Sequence, residues 1–396
     1  MKLKSFLRFN GISNREFSKN LGISNVSLSR YMSGNRLPNT KILNKIYQLT
    51  DGLVDANDFY LNNKKLEDLT EFQKKKLMSL KNELQFGKKK FIAKAITLIE
   101  SSLVHHRLES NFLLSLFKQK EHTVRIGITG VPGVGKSTFI EILGMQLIKK
   151  GLKVAVLAVD PSSERSGGSI LGDKTRMMNL SVNENAFIRP SPSQGHLGGV
   201  AKKTSESIRC LEEAGYDIIF IETMGVGQAE TSVYNMVDIF LVLLLPSGGD
   251  ELQGIKKGII EIADLIIVNK SDGNLAKTAI STKIEYKNAL TMISKSRRDI
   301  SPEVINCSSI DGKGISEVWG HINKFISVRK KSGTFQFTRK NQKIKALWND
   351  INLRINDRVE RDLKSKDFVK KIIKDVENNK FDVNNASNII FDLFIK

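Results

Sequence analysis

The stretch GITGVPGVGKST, residues 127–138, places glycines, one lysine and two hydroxyl groups at fixed spacing. It fits G-x-x-x-x-G-K-[ST], with an apolar run before it and a helical pattern after it. Glycine lets backbone N–H groups approach phosphate oxygens, and the N-terminus of the following helix adds a favourable dipole. We therefore predict a phosphate-binding loop that consists of Gly130, Val131, Pro132, Gly133, Val134, Gly135, Lys136, Ser137 and Thr138.

The side chains of this loop have distinct expected roles. Lys136 would neutralise charge on the β- and γ-phosphates, and Ser137 would bind Mg²⁺. Thr138 would face the α-phosphate at the start of the helix. The loop alone leaves the identity of the nucleotide base open.

A second motif, NKSD, follows the apolar run LIIV and contains Asn269, Lys270 and Asp272. The aspartate carboxylate can accept from both N1–H and the exocyclic amine of guanine, and the lysine stem can lie on the ring. Adenine offers no such pair of donors. The later stretch CSSIDGKG is the usual last base-contacting turn, where backbone N–H groups would reach guanine O6 from Ser308, Ser309 and Ile310. We therefore predict binding of GTP and GDP.

Three acids follow apolar runs that border the phosphate loop. Glu222 ends YDIIFIE, the position expected for the acid that binds the metal ion, and Asp160 ends KVAVLAVD. Asp173 lies further along, in GGSILGDKTRM. Together with Ser137 they could hold Mg²⁺ and orient a water molecule. For Asp160 and Asp173 a helix cap or a surface acid is the alternative.

A glycine-rich stretch, PSGGDELQGIKKG at 246–258, follows another apolar run and contains Asp250, Gln253 and Lys256. A loop of this type can change conformation with the state of the nucleotide. An ordinary exposed connection is the alternative.

Short apolar runs alternate with amphipathic segments from residue 124 onward. The runs are VRIGIT, KVAVLAV, DIIFIE, DIFLVLLL, LIIVNK and VINCS. This alternation predicts an α/β fold with a doubly wound, mainly parallel sheet and helical flanks, and the phosphate loop makes it a P-loop NTPase.

The flanks show helical periodicity. FIAKAITLIESSL would place Ile92, Ile96, Ile99 and Leu103 on one helix face. A second stripe after residue 330 could pack in the core or against a second subunit, and it comprises Ile344, Trp348, Ile351, Ile355, Val359 and Leu363.

Composition narrows the class of protein. The net charge of +20 suits a polyanionic partner, although a generally lysine-rich composition explains it equally well. The two cysteines, Cys210 and Cys307, lack metal-type spacing, which suits a reducing cytosol. No signal peptide or membrane span is evident, so we expect a cytoplasmic protein without a membrane partner.

Several ordered motifs together resemble the MeaB/MMAA/ArgK-type P-loop GTPases. They are GITGVPGVGKSTFIEILG, AVDPSSERSGGSILGDKTRM, FIRPSPSQGHLGGVA, ETMGVGQAE, GGDELQGIKKGIIEIAD, NKSD and GISEVW. The resemblance implies a chaperone of adenosylcobalamin-dependent acyl-CoA mutases, above all methylmalonyl-CoA mutase, and a homodimer formed by C-terminal helices. It also implies that Asp160, Asp173 and Glu222 surround Mg²⁺ and the attacking water. Coupling to the mutase would fall on Asp250, Gln253 and Lys256, with Lys256 recruited toward the nucleotide.

The front of the chain resembles the helix-turn-helix of Cro-type, lambda-repressor-like proteins. Its small core would consist of Phe17, Leu21, Ile23, Leu28 and Tyr31, with Gly22 at the turn. Contacts to DNA would come from Asn25, Ser27 and Arg30 on the outer face of the second helix. The alternatives are a small helical bundle for protein contacts, or a neighbouring reading frame joined by a wrongly assigned start.

These observations predict four parts: a helix-turn-helix domain at 1–62, a helical linker at 63–120, a GTPase domain at 121–328 and a C-terminal dimerisation arm at 329–396. The leading function is a GTP-hydrolysing metallochaperone-type protein that gates adenosylcobalamin loading and protects a mutase. A GTP-sensing DNA-binding regulator is the alternative. A kinase associated with amino-acid transport ranks lower, because no dedicated phosphoacceptor site is evident.

Overall fold

The structure is a computed structural model of the chain. It describes residues 3–33, 36–50, 52–54, 59, 69–101, 103–118, 120, 122–160, 176–192, 197–223, 229–246, 257–293, 302–364 and 367–395. Contacts within the chain divide it into two units, Met1–Gln73 and Lys74–Lys396. The finer division into four parts stays a prediction.

The smaller unit contains four short helices, α1 Leu3–Phe9, α2 Asn14–Leu21, α3 Asn25–Met32 and α4 Thr40–Leu49. The turn between α2 and α3 depends on Gly22, whose φ of 75° is a left-handed conformation that glycine adopts without steric cost. The hydroxyl of Ser24 then caps α3 by accepting a hydrogen bond from the N–H of Ser27 at 3.1 Å.

The predicted core of this unit is confirmed for the four side chains that are buried, Phe17, Leu21, Leu28 and Tyr31. Ile23 is only partly buried and packs against the same cluster. The cluster is small, and it also includes apolar side chains of α1 and α4.

The larger unit is built on a seven-stranded sheet in the order β3-β2-β4-β1-β5-β6-β7, in which every paired strand of the described residues runs parallel. The strands are β1 Val124–Gly130, β2 Val154–Asp160, β3 Ala186–Pro192, β4 Ile218–Thr223, β5 Ile239–Leu244, β6 Leu265–Val268 and β7 Glu303–Asn306. Strands β4, β5 and β6 are buried along their whole length, as expected for a sheet covered by helices on both faces.

Helices accompany this sheet, and they pack on it or on one another. They are α5 Glu71–Gln85, which crosses the division between the units, α6 Lys89–Glu100, α7 Val104–Ser115, α8 Lys136–Lys149, α9 Met178–Val182, α10 Leu197–Glu213, α11 Ala229–Tyr234, α12 Lys257–Ile262, α13 Ala276–Ile293, α14 Ile315–Lys331, α15 Thr334–Lys364, α16 Asp367–Glu377 and α17 Val383–Ile395. A short 3₁₀ helix, Gly273–Leu275, precedes α13. Among the helices of the described residues, none is both long and apolar enough to cross a bilayer.

The strand order places β1 at the centre of the sheet, between β4 and β5. The chain passes from β1 to one side of the sheet for β2 and β3, and later to the other side for β5, β6 and β7. Ligands of such sheets bind beyond the carboxyl ends of the strands, where the strand order changes direction. This position is occupied by the predicted phosphate loop.

Strand β3 was not among the six strands expected from the sequence, because AFIRPSP contains two prolines that argue against a strand. It lies at the edge of the sheet and pairs only with β2, with Pro190 opposite Ala158 and Pro192 opposite Asp160. An edge strand has one side without ladder bonds, so it tolerates the missing N–H groups.

The helical expectation for residues 92–103 is confirmed in part. Ile92, Ile96 and Ile99 are buried on one face of α6, but the helix ends at Glu100. Leu103 is the residue just before the next helix and is 52% exposed, so its predicted place in the stripe was wrong.

The stripe at 344–363 lies on α15, a helix of 31 residues. The alternative that the stripe packs in the core is wrong for three of its side chains, because Ile344, Trp348 and Ile355 are 46%, 60% and 46% exposed. The opposite end of α15 is fixed to the sheet by Arg339, whose guanidinium donates two hydrogen bonds to Asp238 at 2.8 and 2.6 Å.

Candidate functional site

The phosphate loop connects the end of β1 to the start of α8. Gly130 has φ of 150°, and a Cβ there would lie 2.4 Å from the carbonyl oxygen of Leu243 on β5. Gly133 and Gly135 have φ of 81° and 94°. Three backbone positions therefore require glycine, and the loop can wrap closely around a phosphate chain.

Lys136 is directed into this loop. Its ammonium group donates to the carbonyls of Gly130 at 2.8 Å and Val131 at 3.3 Å. Burial lowers the pKa of Lys136, while the nearby charges of Glu222 and Glu230 oppose that effect. A phosphate group entering the loop would meet a cation whose position is already set by the backbone.

Ser137 and Glu222, two of the predicted Mg²⁺ ligands, contact each other. The hydroxyl of Ser137 donates to Oε1 of Glu222 at 3.1 Å, and both side chains are buried. Glu222 reaches this position because it lies opposite Ile128 in the parallel pairing of β4 with β1. Mg²⁺ prefers oxygen ligands and usually keeps waters and phosphate oxygens beside one or two carboxylates, so these residues fit the ion.

The other predicted acids are less fully placed. Asp160 ends β2, two strands from β1, and its side chain is outside the described residues. Asp173, Asp250, Gln253 and Lys256 also lie outside them. Within the described ranges, no group of three or more His, Cys, Asp or Glu side chains is arranged to hold a metal.

The base side of the site is tied to the phosphate loop by Asn269, which is 1% exposed. Its side-chain N–H donates to the carbonyl of Val134 at 2.8 Å. Its side-chain oxygen accepts from the N–H and the hydroxyl of Ser309, at 3.1 and 2.8 Å. A Cβ on Gly135 would lie 2.7 Å from Nδ2 of Asn269, so the loop and the motif pack without space between them.

Lys270 and Asp272 follow in an unusual stretch of backbone. Lys270 has φ of 56°, a conformation that non-glycine residues adopt mainly where surrounding structure demands it. Asp272 is half-buried, and its Oδ1 is buried without a hydrogen-bond partner among the described residues. A buried carboxylate oxygen of this kind suits the donor pair of guanine.

The turn at 308–310 differs from the expectation in its hydrogen bonding. The N–H of Ser308 donates to the carbonyl of Lys313 at 3.0 Å, and that of Ser309 donates to Asn269. Neither is available for guanine O6 in this conformation. Of the three N–H groups, that of Ile310 makes no hydrogen bond to the described residues.

Sequence reasoning missed one buried acid near the site, Glu230. It is 1% exposed and lies in α11, after the stretch TMGVGQ. The signal in the sequence was its place within ETMGVGQAE, but only the packing shows that its side chain is buried.

The predicted DNA contacts lie on α3. Asn25 and Arg30 are exposed. Ser27 is half-buried, and its hydroxyl accepts from Ser24 at 3.0 Å, so its polar group already serves the cap of the helix.

Comparison with known proteins identifies the larger unit. Residues 92–364 match the family described as "Methylmalonyl Co-A mutase-associated GTPase MeaB", which is more than half of the chain. The chain belongs to the MeaB family. The phosphate loop, Glu222 and the NKSD motif all fall within the matched range, whereas the smaller unit falls outside it.

Curated relatives and a solved structure agree with this assignment. The chain is 49% identical over 300 residues to a "Putative GTPase" of Caulobacter vibrioides, covering 76% of this chain and 90% of the relative. It is 46% identical over 296 residues to the "Methylmalonic aciduria type A homolog, mitochondrial" of Mus musculus, covering 72% and 71%. A crystal structure described as a "LAO/AO transport system kinase" is 33% identical with a TM-score of 0.65, covering 83% of this chain and 99% of that one.

As a MeaB-family P-loop protein, this chain is a GTPase that binds GTP and GDP. The sequence-based assignment of nucleotide and family is confirmed.

Proposed function

We propose that this GTPase gates the loading of adenosylcobalamin onto a methylmalonyl-CoA mutase-like enzyme and protects that enzyme. The observation that supports this proposal most strongly is the family match over 92–364, which includes both the nucleotide site and the stretch 246–258. Among its relatives, the mouse protein is named for methylmalonic aciduria. The chain would work as a homodimer.

Catalysis in this proposal is mainly a matter of position and charge. Lys136, held by two carbonyls of the loop, stabilises the negative charge that develops on the phosphate oxygens. Ser137 and Glu222 would hold Mg²⁺, which supplies further neutralisation of the β- and γ-oxygens when bound. Asp160 and Asp173 would complete the site and orient the attacking water.

Coupling to the mutase is assigned to Asp250, Gln253 and Lys256. The test is the rate of GTP hydrolysis with and without an adenosylcobalamin-dependent mutase. We expect slow basal turnover and at least several-fold stimulation by the mutase. Gln253→Ala should keep the basal rate and lose the stimulation. An unchanged rate in the presence of the mutase would count against the proposal.

The homodimer is supported by the exposed apolar side chains of α15, Ile344, Leu347, Trp348 and Ile355. A contiguous apolar face of this kind on a long helix suits burial against a second subunit. Asp350 contacts Lys202 of α10 at 2.5 Å, so a different face of the same helix already packs on the chain.

A second candidate function, DNA binding by the smaller unit, is favoured by its geometry. Two short helices meet at the left-handed Gly22, and the second exposes Asn25 and Arg30. Residues 1–62 carry nine Lys and Arg against four Asp and Glu. A basic module with an exposed second helix suits the major groove.

Duplex DNA binding should then fall steeply with salt. Arg30→Ala should weaken it and reduce the salt slope by about one. Arg354→Ala removes an exposed arginine from the larger unit with the same change of net charge, and should leave binding unaltered. Equal behaviour of the two variants would reject this function.

A further inference from the structure

Glu230 is a buried acid whose carboxylate lacks hydrogen bonds to the described residues. Its side chain is 1% exposed, and neither Oε1 nor Oε2 has a hydrogen-bond partner among the described residues. It is the second residue of α11, a helix that packs against β1 and β4. These two strands end at Gly130 and Thr223, and the chain enters α11 from the end of β4, so the first turn of α11 lies on the side of the strand ends that form the nucleotide site.

Two other buried acids of the chain do accept hydrogen bonds. Glu213 is fully buried and accepts from the side chain of Gln85 at 2.8 Å and the N–H of Lys118 at 3.1 Å. Glu141 accepts from the N–H groups of Asn179 and Leu180 at 2.8 and 3.1 Å. A buried carboxylate is costly unless it is paired and hydrogen-bonded, so the described residues leave the cost of burying Glu230 largely uncompensated.

Glu230 lies within electrostatic range of Lys136 in the phosphate loop. Its charge acts on the ammonium group of Lys136, where it opposes the lowering of the pKa by burial. Glu230 is therefore close enough to the phosphate loop to interact electrostatically with whatever enters it. A bare phosphate oxygen would repel this carboxylate, so the expected partner is a hydrogen-bond donor that arrives with the nucleotide.

We propose that Glu230 is a positioning residue of the nucleotide site, whose carboxylate accepts a hydrogen bond from a water molecule bound to the Mg²⁺ that accompanies GTP or GDP. Mg²⁺ keeps several waters when it binds to proteins and phosphates. Ser137 and Glu222 already offer direct ligand oxygens, so Glu230 is left to orient a water. This inference rests on the proposed Mg²⁺ site.

The test uses Glu230→Gln in the full chain, with two readouts. Calorimetry measures GDP affinity with and without Mg²⁺, and the ratio of the two is the enhancement by Mg²⁺. Loss of a residue that orients a metal-bound group reduces metal affinity by about 10- to 100-fold, and we expect a fall of this size in the enhancement. Thermal unfolding without nucleotide should show Tm raised by about 2–4 °C, because a buried charge without partners is removed.

Glu213→Gln is the matched control. It makes the same substitution at a buried acid that is hydrogen-bonded and lies near the amino ends of β1 and β4, away from the nucleotide site, where Lys120 contacts the Glu213 carbonyl at 3.1 Å. We expect Tm to fall and the Mg²⁺ enhancement to stay as in the unaltered chain. Glu230→Asp, which keeps the charge but withdraws it by one methylene, should lose most of the enhancement without gaining stability.

The inference is overturned if Glu230→Gln lowers Tm as the control does and keeps the enhancement, since Glu230 would then be a structural acid. If GDP affinity of the unaltered chain does not respond to Mg²⁺, the proposed metal site itself fails, and this inference with it. The two failures are distinguishable because the second is seen without any substitution.

Discussion

The side-chain amide of Asn269 donates a hydrogen bond to the backbone carbonyl of Val134 at 2.8 Å, although 135 residues separate them in the chain. The same side chain accepts twice from Ser309. One buried amide thus joins the phosphate loop, the guanine motif and the final turn, so binding at one end of the nucleotide should depend on order at the other.

Replacement of this amide tests the connection. Asn269→Ala leaves the Val134 carbonyl and the Ser309 N–H without their partner, at a cost of about 1–3 kcal/mol for each buried group. We expect a lower free energy of unfolding and weaker GTP binding, measured by denaturant titration and calorimetry. Asn378→Ala removes an exposed amide that bonds Lys374 at 2.7 Å, and should change stability by less than about 0.5 kcal/mol. Similar effects of both variants would contradict the assigned role.

Base selectivity should depend on Asp272. Its buried Oδ1 has no partner among the described residues and is predicted to accept from guanine, and each hydrogen bond to a charged group contributes about 1.5–3 kcal/mol. Asp272→Asn should therefore weaken GTP binding by at least tenfold and strengthen XTP binding, because the carbonyl at C2 of xanthine can accept from the new amide. Competition between GTP and XTP measures this exchange.

Asp311→Asn serves as the control for base selectivity. Asp311 is in the same region, but its side chain is 41% exposed and pairs with Lys313 at 3.7 Å. Its replacement should leave the preference for GTP intact. If Asp272→Asn also keeps that preference, Asp272 does not contact the base.

The attachment of α15 should depend on the buried pair of Arg339 and Asp238. Both side chains are 5% exposed or less, and Arg339 also donates to the carbonyl of Thr123 at 2.6 Å. Arg339→Ala leaves the Asp238 carboxylate with less compensation, so unfolding should become easier by about 3–5 kcal/mol. Arg339→Lys should restore only part of the lost free energy of unfolding, because an ammonium group cannot make the bidentate contact.

Arg354 offers a comparison on the same helix. Its side chain is 57% exposed and pairs with Asp350 at 2.7 Å, and exposed pairs contribute about 0–1 kcal/mol. Denaturant unfolding of Arg339→Ala and Arg354→Ala should differ by several kcal/mol. Equal values would show that the Arg339 pair adds no more than a surface contact.

The proposed homodimer predicts that a substitution on the exposed face of α15 lowers the mass of the protein in solution. Sedimentation should find the unaltered chain as a dimer and Trp348→Glu as a monomer, because the exposed indole would no longer be buried against a second copy. Phe86→Glu changes another aromatic side chain, 75% exposed, and should remain dimeric. If the unaltered chain sediments as a monomer, the proposed homodimer is wrong.

The sequence by itself determined the nucleotide chemistry. The glycines at 130, 133 and 135, Lys136 and Ser137 act through local backbone geometry and through side chains adjacent to it, so their spacing suffices to predict the loop. The guanine motif likewise lies within four residues, 269–272. Six apolar runs likewise predict six of the seven strands, because burial on both faces leaves a continuous apolar signal.

Only the tertiary structure decided the features that depend on distant neighbours. The strand Ala186–Pro192 is possible because an edge position tolerates proline, and Leu103 is exposed because the helix before it ends at Glu100. The burial of Glu230, the engagement of the Ser308 and Ser309 N–H groups, and the pairing of Arg339 with Asp238 across 101 residues all arise from packing between elements. Residue spacing carries no record of such contacts, since each depends on which parts of the chain meet after folding.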